Sequence, residues 1–314
     1  MRRHRGRAAV PPVDTTVAVG SLRLPAPVLT AAGTAGHGAE LAPYGDLDAL
    51  GAVVVKSLAP YPWAGNPAPR LHPTTAGMLN AVGLQGPGIE AWLAEELPAL
   101  EAVGARIVVS IWGRTLDDYA EAAAMLAAAP ASVIAVEVNL SCPNLKGHGM
   151  FAQSPEATRE AMAATAIAAR PRWAKLTAVV SSLPAVAEAA VAGGADAVVL
   201  VNTLLGLAVD VETRRPVLGA GGGGLSGAAI HPVAVRAVWD VHRALPEVPI
   251  VGVGGVSSGV DAVELLLAGA SCVEVGTASF ADPRACWRIQ EELVTWCARR
   301  GLASVAELTG ATSL

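Results

Sequence analysis

The sequence predicts an α/β protein, a (β/α)8 TIM barrel with long loops at its C-terminal face. From Val28 onward, short β-branched runs alternate with alanine-rich helical stretches, the pattern of β/α units around a parallel sheet covered on both faces. Eight such runs can be marked off, and eight strands close a barrel. The chain has 314 residues, 53% hydrophobic and 16% charged, which fits one large barrel and excludes a chain too polar to fold.

Taken in order, the strands are expected at Val28–Ala31, Ala52–Lys56, Arg106–Trp112, Ile134–Leu140, Trp173–Thr177, Ala197–Asn202, Ile250–Gly254 and Cys272–Gly276. Helices are expected at Ile89–Val103, Leu116–Ala129, Pro155–Ala169, Pro184–Ala192, Pro232–Leu245 and Gly259–Ala268, several of them with proline in the first turn. Two insertions break the rhythm, Ala59–Gly88 and Leu204–Ala229, the second carrying the run Gly219–Gly224. Both follow strands, so both belong to the face where barrels build active sites. Residues 1–12 hold Arg2, Arg3, Arg5 and Arg7 before Pro11 and Pro12. With no apolar segment to make them a secretion signal, a disordered basic tail is expected there and a single barrel over residues 13–314.

Charge and cysteine usage narrow the function classes. With 22 Lys+Arg against 27 Asp+Glu the net charge is −5, which offers no footprint for a nucleic acid or an anionic membrane. The four cysteines, Cys142, Cys272, Cys286 and Cys297, form no C-x-x-C pair. Neither a disulfide framework nor a metal centre is expected, and a reducing cytoplasm fits best. No stretch is both uncharged and apolar over the 18 or so residues of a membrane span.

Chemistry-bearing residues cluster at strand ends. Strand seven ends Val251-Gly-Val-Gly-Gly-Val256 and strand eight Val275-Gly-Thr277. Glycine lets amides approach an anion closely, so Gly254, Gly255, Gly276 and Thr277 read either as tight turns or as a phosphate site in the two loops where barrels commonly hold one. Strand four ends Glu137-Val-Asn-Leu-Ser-Cys-Pro-Asn144, which presents amides at Asn139 and Asn144 to a polar planar ligand. Cys142 is either a small buried residue or, once ionised, a base. Lys56 and Lys175 end apolar strands, so their stems lie in the barrel mouth and their ammonium groups, expected to face the rim, need anionic partners. Asn202 and Thr203 end strand six, and Asn80 lies in the first insertion within Met78-Leu-Asn-Ala-Val-Gly-Leu-Gln85. His37, His72 and His148 read as mobile solvated side chains.

These residues, in this order, resemble the class 1 dihydroorotate dehydrogenases, FMN-containing (β/α)8 barrels, and among them the NAD-linked (type 1B) catalytic subunit. The resemblance covers nearly the whole chain. It runs through Gly65-Asn-Pro-Ala-Pro-Arg70, Met78–Gln85, Asn139–Asn144, Lys175-Leu176, Val201-Asn-Thr203, Gly223-Gly-Leu-Ser-Gly227, Gly252-Val-Gly-Gly255 and Val275-Gly-Thr-Ala278. It implies oxidation of dihydroorotate to orotate in pyrimidine synthesis, with Cys142 taking a proton from C5 while hydride leaves C6 for the flavin. By the family pattern Lys56, Asn80, Ala81, Val82, Gly83, Leu84, Asn139, Asn144, Asn202 and Thr203 hold the substrate. FMN is then held by Ala32, Gly33, Lys56, Ser57, Ser110, Asn139, Lys175, Val201, Gly227, Gly254, Gly255, Gly276 and Thr277. Lys175 at the flavin pyrimidine edge stabilises the charge that reduction creates. The resemblance also implies a homodimer joined by a second subunit that carries FAD and a [2Fe–2S] cluster, in keeping with a chain that shows no cysteine cluster and no G-x-G-x-x-G unit of dinucleotide type placed between a strand and a helix.

Several positions depart from that pattern. The first strand ends Ala31-Ala-Gly33 where Ala-Ser-Gly is usual, Ser110 replaces an Asn, and Leu84-Gln-Gly86 replaces Leu-Gln-Asn. Lys175-Leu-Thr-Ala178 lacks the common Pro-Asn, and Phe151-Ala-Gln153 replaces a glycine-phenylalanine step. Each lost neutral hydrogen bond costs about 1 kcal/mol, enough to weaken FMN binding or retune substrate fit. The alternatives are therefore a barrel acting on another dihydropyrimidine and a non-catalytic FMN-binding subunit. A tRNA-dihydrouridine synthase shares the Asn-x-x-Cys-Pro segment, but the acidic net charge runs against an RNA surface.

Overall fold

The computed structural model describes residues 12–141 and 150–312. Eight parallel strands form the centre: β1 (Val28–Thr30), β2 (Val53–Leu58), β3 (Ile107–Ile111), β4 (Val133–Asn139), β5 (Arg172–Leu176), β6 (Ala197–Leu200), β7 (Ile250–Val253) and β8 (Cys272–Val275). They are hydrogen bonded in the order β1-β8-β7-β6-β5-β4-β3-β2. The ring closes between β1 and β2, where Gly51 N–H donates to Val28 O at 2.8 Å and Val54 N–H to the Thr30 hydroxyl at 2.9 Å. This is the expected (β/α)8 barrel. Every residue of β3, β6, β7 and β8 is buried, which is why their sequences read as apolar runs rather than alternating ones. Burying one Val, Leu or Ile side chain contributes roughly 1.5–3 kcal/mol.

The helices that return the chain are α1 (Ile89–Glu95), α2 (Leu97–Ala102), α3 (Leu116–Leu126), α4 (Pro155–Ala164), α5 (Leu183–Ala192), α6 (His231–Ala244), α7 (Gly259–Ala268), the short α8 (Ala278–Ala281) and α9 (Ala285–Arg299). Their starts are written in the sequence. Thr115 with Asp118 and Ser258 with Asp261 form reciprocal capping boxes at α3 and α7, each satisfying amides that a helix start leaves free. Proline stands in the first turn of α4, α5 and α6. The single helix expected at Ile89–Val103 is two, because Pro98 in the first turn of α2 has no amide to continue the ladder from α1. The helix expected to reach Ala169 leaves α geometry at Ala164 and ends in a 3-10 turn, with Ala169 left-handed at φ 53°.

The two insertions are not separate loops. Leu71–Thr74 and Gly77–Asn80 from the first pair with Gly223–Ser226 and Leu204–Gly206 from the second, making one four-stranded antiparallel sheet. The glycine run permits this. A Cβ on Gly223 would lie 2.4 Å from Asn80 O, and one on Gly224 only 2.1 Å from the Thr203 hydroxyl, so side chains at either position would push the strands apart. At the other end of the barrel, a hairpin of Val17–Val19 and Leu22–Leu24 packs Gly20 against the Asp196 backbone just before β6. The tail expected over residues 1–12 lies outside the described residues except for Pro12. Among the described residues no helix is long and apolar enough to cross a membrane.

Candidate active site

The C-terminal ends of the strands and the antiparallel sheet enclose a cavity of about 1040 Å³, open mouth included. Its wall after β7, β8 and the end of the second insertion is largely backbone. Gly227, Gly254, Gly255, Gly276 and Thr277 line it, with φ of +91° at Gly227, +136° at Gly254 and +71° at Gly255. A Cβ on Gly255 would come 2.7 Å from His231 Cβ and 2.9 Å from Gly227 O, and one on Gly254 would come 2.6 Å from Ala234 Cβ. Only glycine supplies both the conformation and the room. The adjacent helix α6 begins at His231, whose ring bonds Gly254 O at 2.8 Å and Glu264 at 3.2 Å, fixing that loop against the helix start. The Thr277 hydroxyl donates to Ser226 Oγ at 2.8 Å and ties strand eight to the antiparallel sheet.

The floor is a hydrogen-bonded chain that crosses three strands, β2, β3 and β4. Asn139 Nδ2 donates to Ser57 Oγ at 3.1 Å, the two hydroxyls of Ser57 and Ser110 lie 2.8 Å apart, and Ser110 Oγ donates to Glu137 Oε1 at 2.9 Å. Because the Ser110 proton is committed to Glu137, the Ser57 hydroxyl donates to Ser110, and every bond in the chain runs one way. Asn139 Oδ1 in turn accepts from Ser141 N–H at 3.3 Å and Asn202 Nδ2 at 3.4 Å, and Asn202 Nδ2 also reaches the Ser141 hydroxyl at 3.1 Å. Both amide orientations follow from these partners, and Thr203 N–H donates to Asn202 Oδ1 at 2.9 Å.

Beneath this chain Lys175 Nζ lies 3.1 Å from Glu137 Oε2 and 2.9 Å from Glu274 Oε2, with all three side chains buried. Burial works against the ammonium, but the two carboxylates outweigh it and hold Lys175 above the ordinary lysine range. The ammonium therefore does not reach toward the rim as the sequence suggested. It is held inside the barrel, still lining the cavity, by two acids that the sequence reading passed over.

The opposite wall carries the substrate-type groups. Lys56 lines the cavity, and a Cβ on Gly33 (φ +88°) would lie 3.0 Å from the Lys56 stem, so the lysine lies flat against that glycine. Asn80 Nδ2 donates to Gly224 O at 3.3 Å across the antiparallel sheet. Leu84 is left-handed at φ 62°, an unfavourable conformation for a branched side chain. It is held by packing with Ala59 and Trp112 and by the Trp63 indole, which donates to Gly83 O at 3.0 Å. His37 is half-buried beside this wall, not solvated. Burial, then the positive charge of Lys56, keep its imidazole below the ordinary range against the pull of Glu40.

The family model for dihydroorotate dehydrogenase matches residues 15–296. The chain belongs to the dihydroorotate dehydrogenase family. It is 46% identical over 303 residues to a protein of Geobacter sp. (strain M21), covering 96% of this chain and 99% of that one. It is 47% identical over 298 residues to one of Trichlorobacter lovleyi, covering 94% and 97%, and 46% identical over 301 residues to one of Desulforudis audaxviator, covering 95% and 97%. All three are named dihydroorotate dehydrogenase B (NAD(+)), catalytic subunit.

Most residues singled out by their resemblance to dihydroorotate dehydrogenases meet in this one cavity: Ala32, Gly33, Lys56, Ser57, Asn80, Val82, Gly83, Leu84, Asn139, Lys175, Val201, Asn202 and Thr203, with the glycine wall described above. Two do not line it. Ala81 is fully buried with Leu79 and Leu218, and Ser110 is fully buried behind Ser57. Cys142, Asn144 and His148 lie outside the described residues. The departures also find places. Ala32 lines the cavity, Gly86 pairs its backbone with Trp63, and Ala178 packs against the core. The sequence reading missed Thr34, Leu71, Met78, Ser226, Ile230 and Phe280 on the cavity wall, and Glu137 and Glu274 below it. Glu137 carried a signal: it lies two residues before Asn139 and so on the same face of β4.

Proposed function

We propose that the chain oxidises dihydroorotate to orotate in pyrimidine biosynthesis, using FMN, as the catalytic subunit of a larger assembly. The observation that carries this reading is the meeting, in one cavity, of a glycine wall with no room for a Cβ at Gly227, Gly254 or Gly255 and an ammonium held from below by two carboxylates. The wall suits a phosphate and the ammonium suits a ring that gains negative charge. Membership of the dihydroorotate dehydrogenase family supports the same assignment.

FMN, when bound, supplies the two-electron acceptor for hydride. Gly227, Gly254, Gly255, Gly276 and Thr277 would hold its phosphate end, and Ala32, Gly33, Lys56, Ser57, Asn139, Lys175 and Val201 its ring, with Ser110 acting through Ser57. The substrate would be held by the residues of the antiparallel sheet and the strand ends that face the same cavity. Lys56 supplies positive charge to its carboxylate, and Asn80, Asn139, Asn144, Asn202 and Thr203 match the donors and acceptors of its ring. Ala81 to Leu84 shape the remaining wall, and Cys142 takes the C5 proton. Residues 13–314 act as one FMN-binding barrel, which forms a homodimer in the cytoplasm. The described cysteines, Cys272, Cys286 and Cys297, are free and buried, in keeping with a reducing compartment.

The purified protein should be yellow, release FMN on heating, and bleach under anaerobic conditions with dihydroorotate ahead of other dihydropyrimidines. A protein that binds no flavin would defeat the reading, and one bleached only by another dihydropyrimidine would move the substrate.

Electrons leave through a partner. The relatives are named as catalytic subunits of NAD(+) enzymes, and we assign the NAD step to a second subunit bearing FAD and a [2Fe–2S] cluster. The isolated chain should therefore turn over with dyes or quinone analogues and hardly at all with NAD. Brisk NAD reduction by this chain alone would refute the assignment.

A further inference from the structure

We propose that Glu137 and Glu274 share a single proton beneath Lys175, so that the three side chains form a neutral unit at neutral pH and act as positioning residues that fix the charge Lys175 presents to a bound flavin ring. The second half of this statement rests on the flavin reading above; the shared proton is a property of the protein alone.

The geometry requires a proton. One ammonium and two carboxylates meet from β5, β4 and β8, all buried, with Nζ to oxygen distances of 3.1 and 2.9 Å. Fully ionised, the cluster would hold a net negative charge in a dry barrel interior, where two carboxylates sharing one site do not both ionise in the ordinary range. The partners decide where the proton rests. Glu137 has a donor on each oxygen, Ser110 on Oε1 and Lys175 on Oε2. Glu274 has Lys175 on Oε2 alone, and its buried Oε1 has no partner among the described residues. The unpartnered oxygen is the natural seat of the proton, which belongs to the pair rather than to either acid.

Electrostatics agree. Burial raises the Glu274 carboxyl first, Lys175 pulls it back and Glu137 pushes it up again, leaving it well above the ordinary carboxylate range. The titratable groups that face Glu274 are Lys175, Glu137 and, on its own strand, Cys272, a thiol that burial and then Glu274 drive upward. The flanking strands β1 (Val28–Thr30) and β7 (Ile250–Val253) bring only apolar side chains, glycine and the Thr30 hydroxyl. The Asn139-Ser57-Ser110 chain, with its protons all directed toward Glu137, ends on the same pair. The cluster is thereby linked to the cavity both through Lys175 and through Asn139.

Two measurements test this on the parent and on Glu274→Gln and Glu137→Gln, whose carboxamides keep the shape of the acid. In infrared pH-difference spectra the parent should show at neutral pH the carbonyl stretch of a buried neutral carboxylic acid, shifted in heavy water and absent from both variants. In potentiometric titrations of the flavin-loaded protein from about pH 6 to about pH 10, reduction places negative charge beside Lys175 and raises the proton affinity of the pair. The parent should then take up one extra proton over part of the alkaline range, an added tenfold change per pH unit in the two-electron equilibrium, or about 30 mV. Glu274→Gln should lose that added slope while matching the parent at neutral pH. If Glu274→Gln does not fold, Glu137→Gln carries both measurements. No acid band in the parent, or equal slopes in parent and variant, would overturn the proposal. A parent that binds no flavin would remove the flavin reading, and the infrared band would still decide the shared proton.

Discussion

Cys142→Ala leaves flavin bound and slows its reduction by dihydroorotate by about two to four orders of magnitude, the usual scale for loss of a general base. The assignment comes from the resemblance carried by Asn139-Leu-Ser-Cys-Pro-Asn144, and Cys142 lies outside the described residues. What precedes it is well fixed: Ser141 is buried, and Asn202 Nδ2 bonds both its carbonyl at 3.3 Å and its hydroxyl at 3.1 Å. The chain therefore leaves β4 for position 142 from an anchored point beside Asn139, which lines the cavity. Only a thiolate has a free lone pair of suitable basicity, and an unperturbed thiol ionises near pH 8.5. Reduction in the parent should thus accelerate as pH rises until the thiol is ionised. Cys142→Ser should keep some activity but need higher pH, because a hydroxyl is a far weaker acid. Anaerobic stopped-flow reduction across the alkaline range compares the three proteins. A Cys142→Ala protein reduced at the parental rate would leave Cys142 as a small residue filling the loop after β4.

The barrel was legible because its strands are short, almost wholly buried and flanked by helices, so each prints an apolar run. Val108-Val109 in β3 and Val198-Val199 in β6 could hardly read otherwise. Helix starts were legible where proline or a capping serine or threonine marks them. The break before Pro98 was not, since the apolar period continues through it and only the missing amide divides α1 from α2. The cavity residues were legible as a family pattern on strand ends, whereas the antiparallel sheet that roofs them was not. Its strands come from insertions more than a hundred residues apart, Asn80 facing Gly224, and a pairing of that range with glycine on one side leaves no alternation to read. The acids beneath Lys175 were half legible. A lysine ending a buried strand demands an anion, and Val-Glu-Val occurs in both β4 and β8. Choosing those two needs the knowledge that β4, β5 and β8 point these side chains at one another across a closed ring, which sequence does not carry without the register.

Within that ring Lys175 neutralises two buried acids, which gives it a part in stability as well as in the site. Lys175→Met should lower the free energy of unfolding by about 3–5 kcal/mol, the cost of removing one partner from a buried ion pair and stranding the other. The sign with pH follows from the direction of its shift. Lys175 is held above its ordinary value of 10.5, so its contribution is fully present below that value and is lost only as pH rises through the higher folded value. The deficit of the methionine variant should therefore be complete at neutral pH. It should shrink in acid, where the pair takes up its remaining proton and no longer needs a cation. Adding Glu137→Gln and Glu274→Gln to Lys175→Met should restore most of the lost stability, because a buried ion cluster replaced by neutral side chains of similar volume is often neutral or stabilising. It should not restore flavin reduction, because the charge that Lys175 would present to the ring is still missing. Urea unfolding of the three proteins at neutral and acid pH separates the two roles. A Lys175→Met midpoint equal to that of the parent would mean that the two acids are satisfied without the lysine, and the neutral three-residue unit could not be what holds the barrel floor together.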